Sequence, residues 1–169
     1  VTYIGAGTTD SSGKTWVETT GKSGNFCVIE TDVPSKYTIN TGVFDATNNK
    51  WSSIVTTSNS PTIKNNSPHV KIVKKSSNEA ITNDNACYSL EGTTYELRNG
   101  STVVATFTLD ANGSSTNKAV PAGTYTLVET KAGKGYKLSD PTTVTVNQTE
   151  ANQTFNVTDE PGGDPFVMS

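Results

Sequence analysis

Short runs of alternating apolar and polar residues, broken by turn-forming residues, extend along the whole chain. Alternation with period two places successive side chains on opposite faces of a strand, so the pattern predicts an all-β protein. Within residues 67–161 it predicts strands over 70–74, 94–97, 103–109, 124–130, 142–146 and 154–158. Asn99-Gly100 and Asp110-Ala111-Asn112-Gly113 are hairpin signals, and Pro121-Ala122-Gly123 and Gly133-Lys134-Gly135 bracket the 124–130 strand. Short strands at such even spacing predict a β-sandwich. Residues 1–66 carry shorter β-prone runs at 2–4, 15–17, 26–29, 37–39 and 51–55. They predict a second small β unit, either whole or the trailing part of a larger domain. The Ser-, Asn- and Pro-rich stretch 58–68 reads as a boundary, and 162–169 as an exit linker or the start of a further repeat.

Three of the predicted strands share an unusual ending. Val70-x-Ile72-x-Lys74, Tyr125-x-Leu127-x-Glu129 and Phe155-x-Val157-x-Asp159 each read apolar, apolar, ionisable along one face. A face that begins in the core and ends on a charge usually ends in water. Three such faces with complementary groups imply another arrangement, an amine and two carboxyls meeting at one end of an apolar core. Lys71 and Lys75 fall on the face opposite Lys74 and read as solvated, as do Glu96 and Asp110 beside their hairpin.

Composition narrows the function. Sixteen acidic residues against thirteen basic leave a net charge of -3, which suggests no nucleic-acid partner. Hydrophobic residues make up 32%, which suits thin β domains with one face of each strand in water. No apolar run is long enough for a membrane span, and with neither leader nor sorting tail the chain reads as a piece of something longer. His69 is the only histidine, so neither a catalytic triad nor a histidine-rich metal site is expected. No cofactor is implied. Asp110-x-Asn112-Gly113 echoes the opening of a calcium loop without its remaining ligands, and reads as a turn. Asn83-Asp84-Asn85 reads as a polar loop, and the sequons at Asn147 and Asn156 are chance products of an Asn/Thr-rich chain. Cys27 and Cys87 show neither metal nor scaffold spacing; they are either a pair or two buried thiols.

Several ordered motifs carry a family likeness. Leu90-Glu91-Gly92-Thr93-Thr94-Tyr95-Glu96-Leu97, then Asp110 to Gly113, then Pro121 to Thr130, then Gly135-Tyr136, closing on Asp159-Glu160-Pro161, resemble a Cna B-type (SpaA-like) domain over about residues 69–161. Such domains are the repeated stalk and pilin modules of Gram-positive surface proteins. The resemblance implies an Ig-like or prealbumin-like sandwich and a secreted protein anchored to the cell wall. Its partners would be the neighbouring domains of the same surface protein, with no membrane insertion in this segment. It also implies an intramolecular isopeptide bond, with Lys74 matching the lysine of the first strand, Asp159 the acceptor of the last, and Glu129 the assisting glutamate. The chain departs from the family pattern at two places. Ala132-Gly133-Lys134 replaces the proline often found before Gly-Tyr, and an aspartate stands where asparagine is commoner, so water rather than ammonia would leave.

The residues supply a chemical rationale. Burial lowers the pKa of a lysine and raises that of a carboxylic acid, which is expected to hold Lys74 neutral and Asp159 protonated while Glu129 moves protons. The reaction would run once per molecule, so the chain is expected to be no enzyme toward an external substrate; it lacks a clustered His/Cys/Ser constellation. An alternative reading makes residues 1–66 a ligand-binding adhesin unit for a host matrix protein or glycan, with Trp16, Tyr37 and Trp51 as contacts. A cysteine–glutamine thioester within the first unit is not expected, because Gln148 and Gln153 are the only glutamines. The first unit has candidate partners for an isopeptide of its own (Lys14, Lys22, Glu18, Glu30, Asp32), but no trio with the repeated strand form.

Overall fold

A computed structural model describes residues 2–39, 44–45, 50–51, 54–56 and 65–162, with backbone alone at 25, 27, 44–45, 50–51 and 54–56. By contacts the chain divides into one unit of Val1–Thr31 and Asn40–Ile63 and a second of Asp32–Ile39 and Lys64–Ser169.

In the first unit β1 (Asn25–Cys27) pairs antiparallel with β4 (Ile54–Thr56), and β2 (Phe44–Asp45) with β3 (Lys50–Trp51). The expected strands at 2–4 and 15–17 form no ladder, and Tyr3 and Trp16 stand 80% and 85% exposed. The thiol of Cys27, the side chain of Trp51, most of the 58–68 boundary and nearly all of the exit tail lie outside the described residues.

The second unit is a sandwich of two sheets, as the alternation predicted. One sheet has the order β11 (Asn152–Asp159), β5 (His69–Ser76), β8 (Lys118–Ala119). The other runs β10 (Thr142–Val146), β9 (Gly123–Lys131), β6 (Thr94–Asn99), β7 (Thr102–Thr108). The first and last strands, β5 and β11, are parallel neighbours in register from Asn152 opposite His69 to Asp159 opposite Ser76. Every other pair in this unit is antiparallel. Apolar residues from both inner faces meet between the sheets: Val70 and Ile72 from β5, Tyr95 and Leu97 from β6, Phe107 from β7, Tyr125 and Leu127 from β9 and Val146 from β10.

Segment 32–39 is no strand. It lies along the second unit as a loop, with Thr38 N–H donating to Asn66 O (2.6 Å), Ile39 N–H to Gln148 O (3.0 Å) and Gln148 Nε2 to Val33 O (2.5 Å). Backbone groups of 32–39 are thus satisfied by partners more than twenty residues away, which local propensity does not foretell. The one-turn helix α1 (Glu79–Thr82) and the two-residue β8 were likewise not signalled. The Gly135-Tyr136 motif packs Tyr136 edge-to-face on Tyr88 (centroids 5.6 Å), while Tyr88 Oη donates to Gly162 O (3.3 Å). Cys87 is a free, half-buried thiol.

Candidate functional site: a buried lysine between two carboxyls

Burial alternates along the three strands as their side chains do. Val70, Ile72 and Lys74 are buried on β5, Tyr125, Leu127 and Glu129 on β9; on β11 Gln153 and Asp159 are buried with Phe155 and Val157 half-buried between them. The ionisable endings therefore point inward with the apolar residues. Lys74, Glu129 and Asp159 are only 1%, 5% and 4% exposed.

The register explains how they meet. Val157 stands beside Lys74, so Asp159 lies two residues further along the parallel ladder, an offset of roughly 6–7 Å. The flexible four-carbon lysine stem spans that offset, where a short aspartate side chain would not. Lys74 Nζ ends 2.6 Å from Asp159 Oδ2, outside hydrogen-bonding angles, and donates to Oε1 of Glu129, which reaches across from the opposing sheet. The backbone of Lys74 is held from its other side: its N–H donates to Gly113 O (2.8 Å), and Ser115 N–H donates to Ile72 O (2.9 Å). Gly113 has φ +71 and a Cβ there would come 2.4 Å from the Lys74 carbonyl oxygen, so the 110–114 turn needs glycine at this approach. This is a structural role for the Asp110 loop, whose Oδ1 accepts from Asn112 N–H and Ser114 N–H at 2.9 Å. Among the described residues no group of His, Cys, Asp and Glu is arranged to hold a metal.

Two further residues complete the site and were not signalled by the sequence. Ser139, in the loop after β9, donates to Glu129 Oε2 from both its backbone N–H (2.8 Å) and its Oγ (2.6 Å). Tyr95 stands opposite Glu129 on β6, with Lys74 Nζ 5.1 Å from its ring centroid and its hydroxyl buried without a hydrogen-bond partner. Tyr95 reads as core by pattern, and only the register of β6 on β9 places it beside Glu129. Ser139 contributes partly through a backbone N–H, which carries no residue-type signal at all. Of the other lysines, Lys75 is exposed and Lys71 half-buried, both on the outer face. Glu96, expected in solvent, is half-buried and paired with Arg98 (2.5 Å).

The protonation pattern is one cation between two acids. Burial pushes the Asp159 carboxyl above the usual aspartate range, with the Glu129 charge adding to it and Lys74 opposing. That is the direction expected for a buried acid. Lys74 behaves otherwise. Burial acts to lower its pKa, but contact with Asp159 and Glu129, aided by Tyr95, outweighs this and holds it above the ordinary lysine value. The resting amine is an ammonium rather than the neutral group expected, because two acids in direct contact offset its desolvation. The Tyr95 phenol is raised by burial and remains a neutral hydroxyl.

Comparison with known proteins agrees with the fold. Residues 69–161, more than half of the chain, match the family described as SpaA, a prealbumin-like fold domain. Among solved structures, the Bacillus anthracis TIE protein is 20% identical with TM-score 0.43, covering 57% of this chain and 17% of that one. The minor pilin of Streptococcus agalactiae is 18% identical with TM-score 0.41, covering 61% and 48%. The shaft pilin spaA of Lactobacillus rhamnosus GG is 19% identical with TM-score 0.42, covering 94% and 70%. The chain thus spans less than half the length of the first two. No curated protein matches. On the match across 69–161, the chain belongs to the SpaA family of prealbumin-like fold domains.

Proposed function

We propose that this is a structural module of a Gram-positive cell-surface or pilus protein, locked by an isopeptide bond between Lys74 Nζ and Asp159 Cγ. The observation that carries the reading is the buried contact of 2.6 Å between that amine and that acid beside a third, proton-accepting group. Glu129 takes a proton from the ammonium it touches, the freed amine attacks Cγ of protonated Asp159, and the C–O bond breaks as water leaves. Of the protons on the amine and the acid, two depart in the water, one remains on the amide and the last sits on Glu129. Holding the reacting groups in contact can supply about 7–11 kcal/mol of the barrier, so the fold acts as the catalyst and turns over once.

The topology gives the bond a mechanical purpose. Force entering at the start of β5 and leaving at the end of β11 would shear two parallel strands. With the bond in place it passes from Lys74 to Asp159 through covalent links and bypasses the sandwich. Neighbouring domains of the same surface protein are the partners this implies, at a cell-wall-anchored location outside the membrane. No helix among the described residues is long and apolar enough to cross a membrane. Intact mass tests the proposal: the wild type should weigh one water less than its sequence, and Glu129→Ala should restore the full mass. A wild type of full mass refutes it.

A second reading retains the first unit as an adhesive domain for a matrix protein or glycan. The exposure of Trp16 and Tyr3 favours it, while Tyr37, half-buried on a segment of the second unit, drops out as a contact. Binding to immobilised glycans or matrix proteins that is lost in Trp16→Ala would support it; no binding by the wild-type chain would end it.

A further inference from the structure

We infer that Ser139 is a positioning residue that confines proton transfer to a single oxygen of Glu129; the inference rests on the Lys74–Asp159 bond proposed above. The two carboxyl oxygens of Glu129 have different occupants. Oε1 meets the Lys74 amine, and Oε2 accepts two hydrogen bonds from one residue, the N–H (2.8 Å) and Oγ–H (2.6 Å) of Ser139. The terminal torsion of a glutamate is soft and two-fold, so an unheld carboxyl would exchange its oxygens and swing away from the amine. Two donors converging on Oε2 stop that rotation. They also saturate Oε2 with donated protons, so a proton removed from Lys74 goes to Oε1, returns from Oε1 to the hydroxyl that leaves Asp159, and is replaced on Oε1 by the second proton that the amide nitrogen sheds. One oxygen then serves as acceptor, donor and acceptor again, without any turn of the carboxyl.

Ser139 sits half-buried in the loop between β9 and β10, outside both ladders, so its hydroxyl can be altered without removing a strand residue. The N–H survives any substitution except proline, which isolates the contribution of Oγ.

The test follows the loss of water with time in full-length chain made by a short cell-free synthesis pulse, by intact mass in reducing buffer. Far-UV circular dichroism checks folding. Ser139→Ala should fold and cross-link more slowly by roughly ten- to a hundredfold, as expected for removing one hydrogen bond to a charged group. Ser139→Cys, close in size but a weak donor, should be slow as well. Ser139→Thr, which keeps the hydroxyl, should react close to the wild-type rate, a rescue that a merely space-filling role would not give. Wild-type speed in the Ala and Cys variants overturns the inference and leaves the bond standing. Equal slowing in Ala, Cys and Thr also overturns it, because the hydroxyl would then not be the cause. A wild type that never loses water removes the bond itself, and the role of Ser139 with it.

Discussion

Replacing Glu129 by glutamine isolates what the covalent link contributes to stability. Glu129→Gln keeps the shape of the side chain and leaves Lys74 in contact with Asp159, but removes the group that accepts the proton of the amine. The bond should not form. The link from Lys74 to Asp159 closes a ring of about 85 residues, for which the chain-entropy relation gives roughly 4–5 kcal/mol at 25 °C. For a domain of this size each kcal/mol moves the melting temperature by about 4–8 °C. The second unit of Glu129→Gln should therefore melt roughly 15–40 °C below the wild type in scanning calorimetry, with its mass one water higher. If the variant lacks the bond and yet melts within about five degrees of the wild type, the ring-closure argument is wrong. In that case the bond would serve tensile strength alone.

Other outcomes follow from the same geometry. Asp159→Asn should still cross-link, with ammonia in place of water as the leaving group, so its intact mass should equal that of the linked wild type; the full mass of the unlinked variant would refute this. Cross-linking in a synthesis pulse should slow as pH rises through the elevated value of Asp159, because the carboxylate is a poor target for an amine. In unlinked Glu129→Gln burial still acts to raise Asp159, though without the Glu129 charge, and contributes stability that is present at low pH and lost as pH climbs through the folded value, readable from melts across pH. Gly113→Ala should destabilise the second unit by at least about 1–2 kcal/mol, through the left-handed φ and the close approach to the Lys74 carbonyl. Urea denaturation of the unlinked chain would measure it.

The site was legible in the sequence for a specific reason. A strand has a period of two, so one apolar face that ends on a charge fixes which way that charge points, and three such faces needed only adjacency to converge. Lys74, Glu129 and Asp159 were found in this way. What was missed depends on contacts that leave no periodic trace. Lys118-Ala119 becomes β8 only by pairing with His69 and Val70. The hydroxyl of Tyr95 enters the site through strand register, and Ser139 through a loop path. In the first unit Thr2-Tyr3-Ile4 and Thr15-Trp16-Val17 have strand-like composition but form no ladder, since β propensity describes fit to a neighbouring strand more than an intrinsic preference. The raised pKa of Lys74 departs from what burial alone predicts, because two acids touch the amine.

Tryptic peptide mapping of the wild-type chain by tandem mass spectrometry tests the central claim most directly. An acylated Lys74 resists trypsin, so the account predicts a branched species in which residues 72–75 are joined through Lys74 to Asp159 within residues 138–169. Recovery of residues 72–74 and 138–169 as separate, unmodified peptides would contradict it.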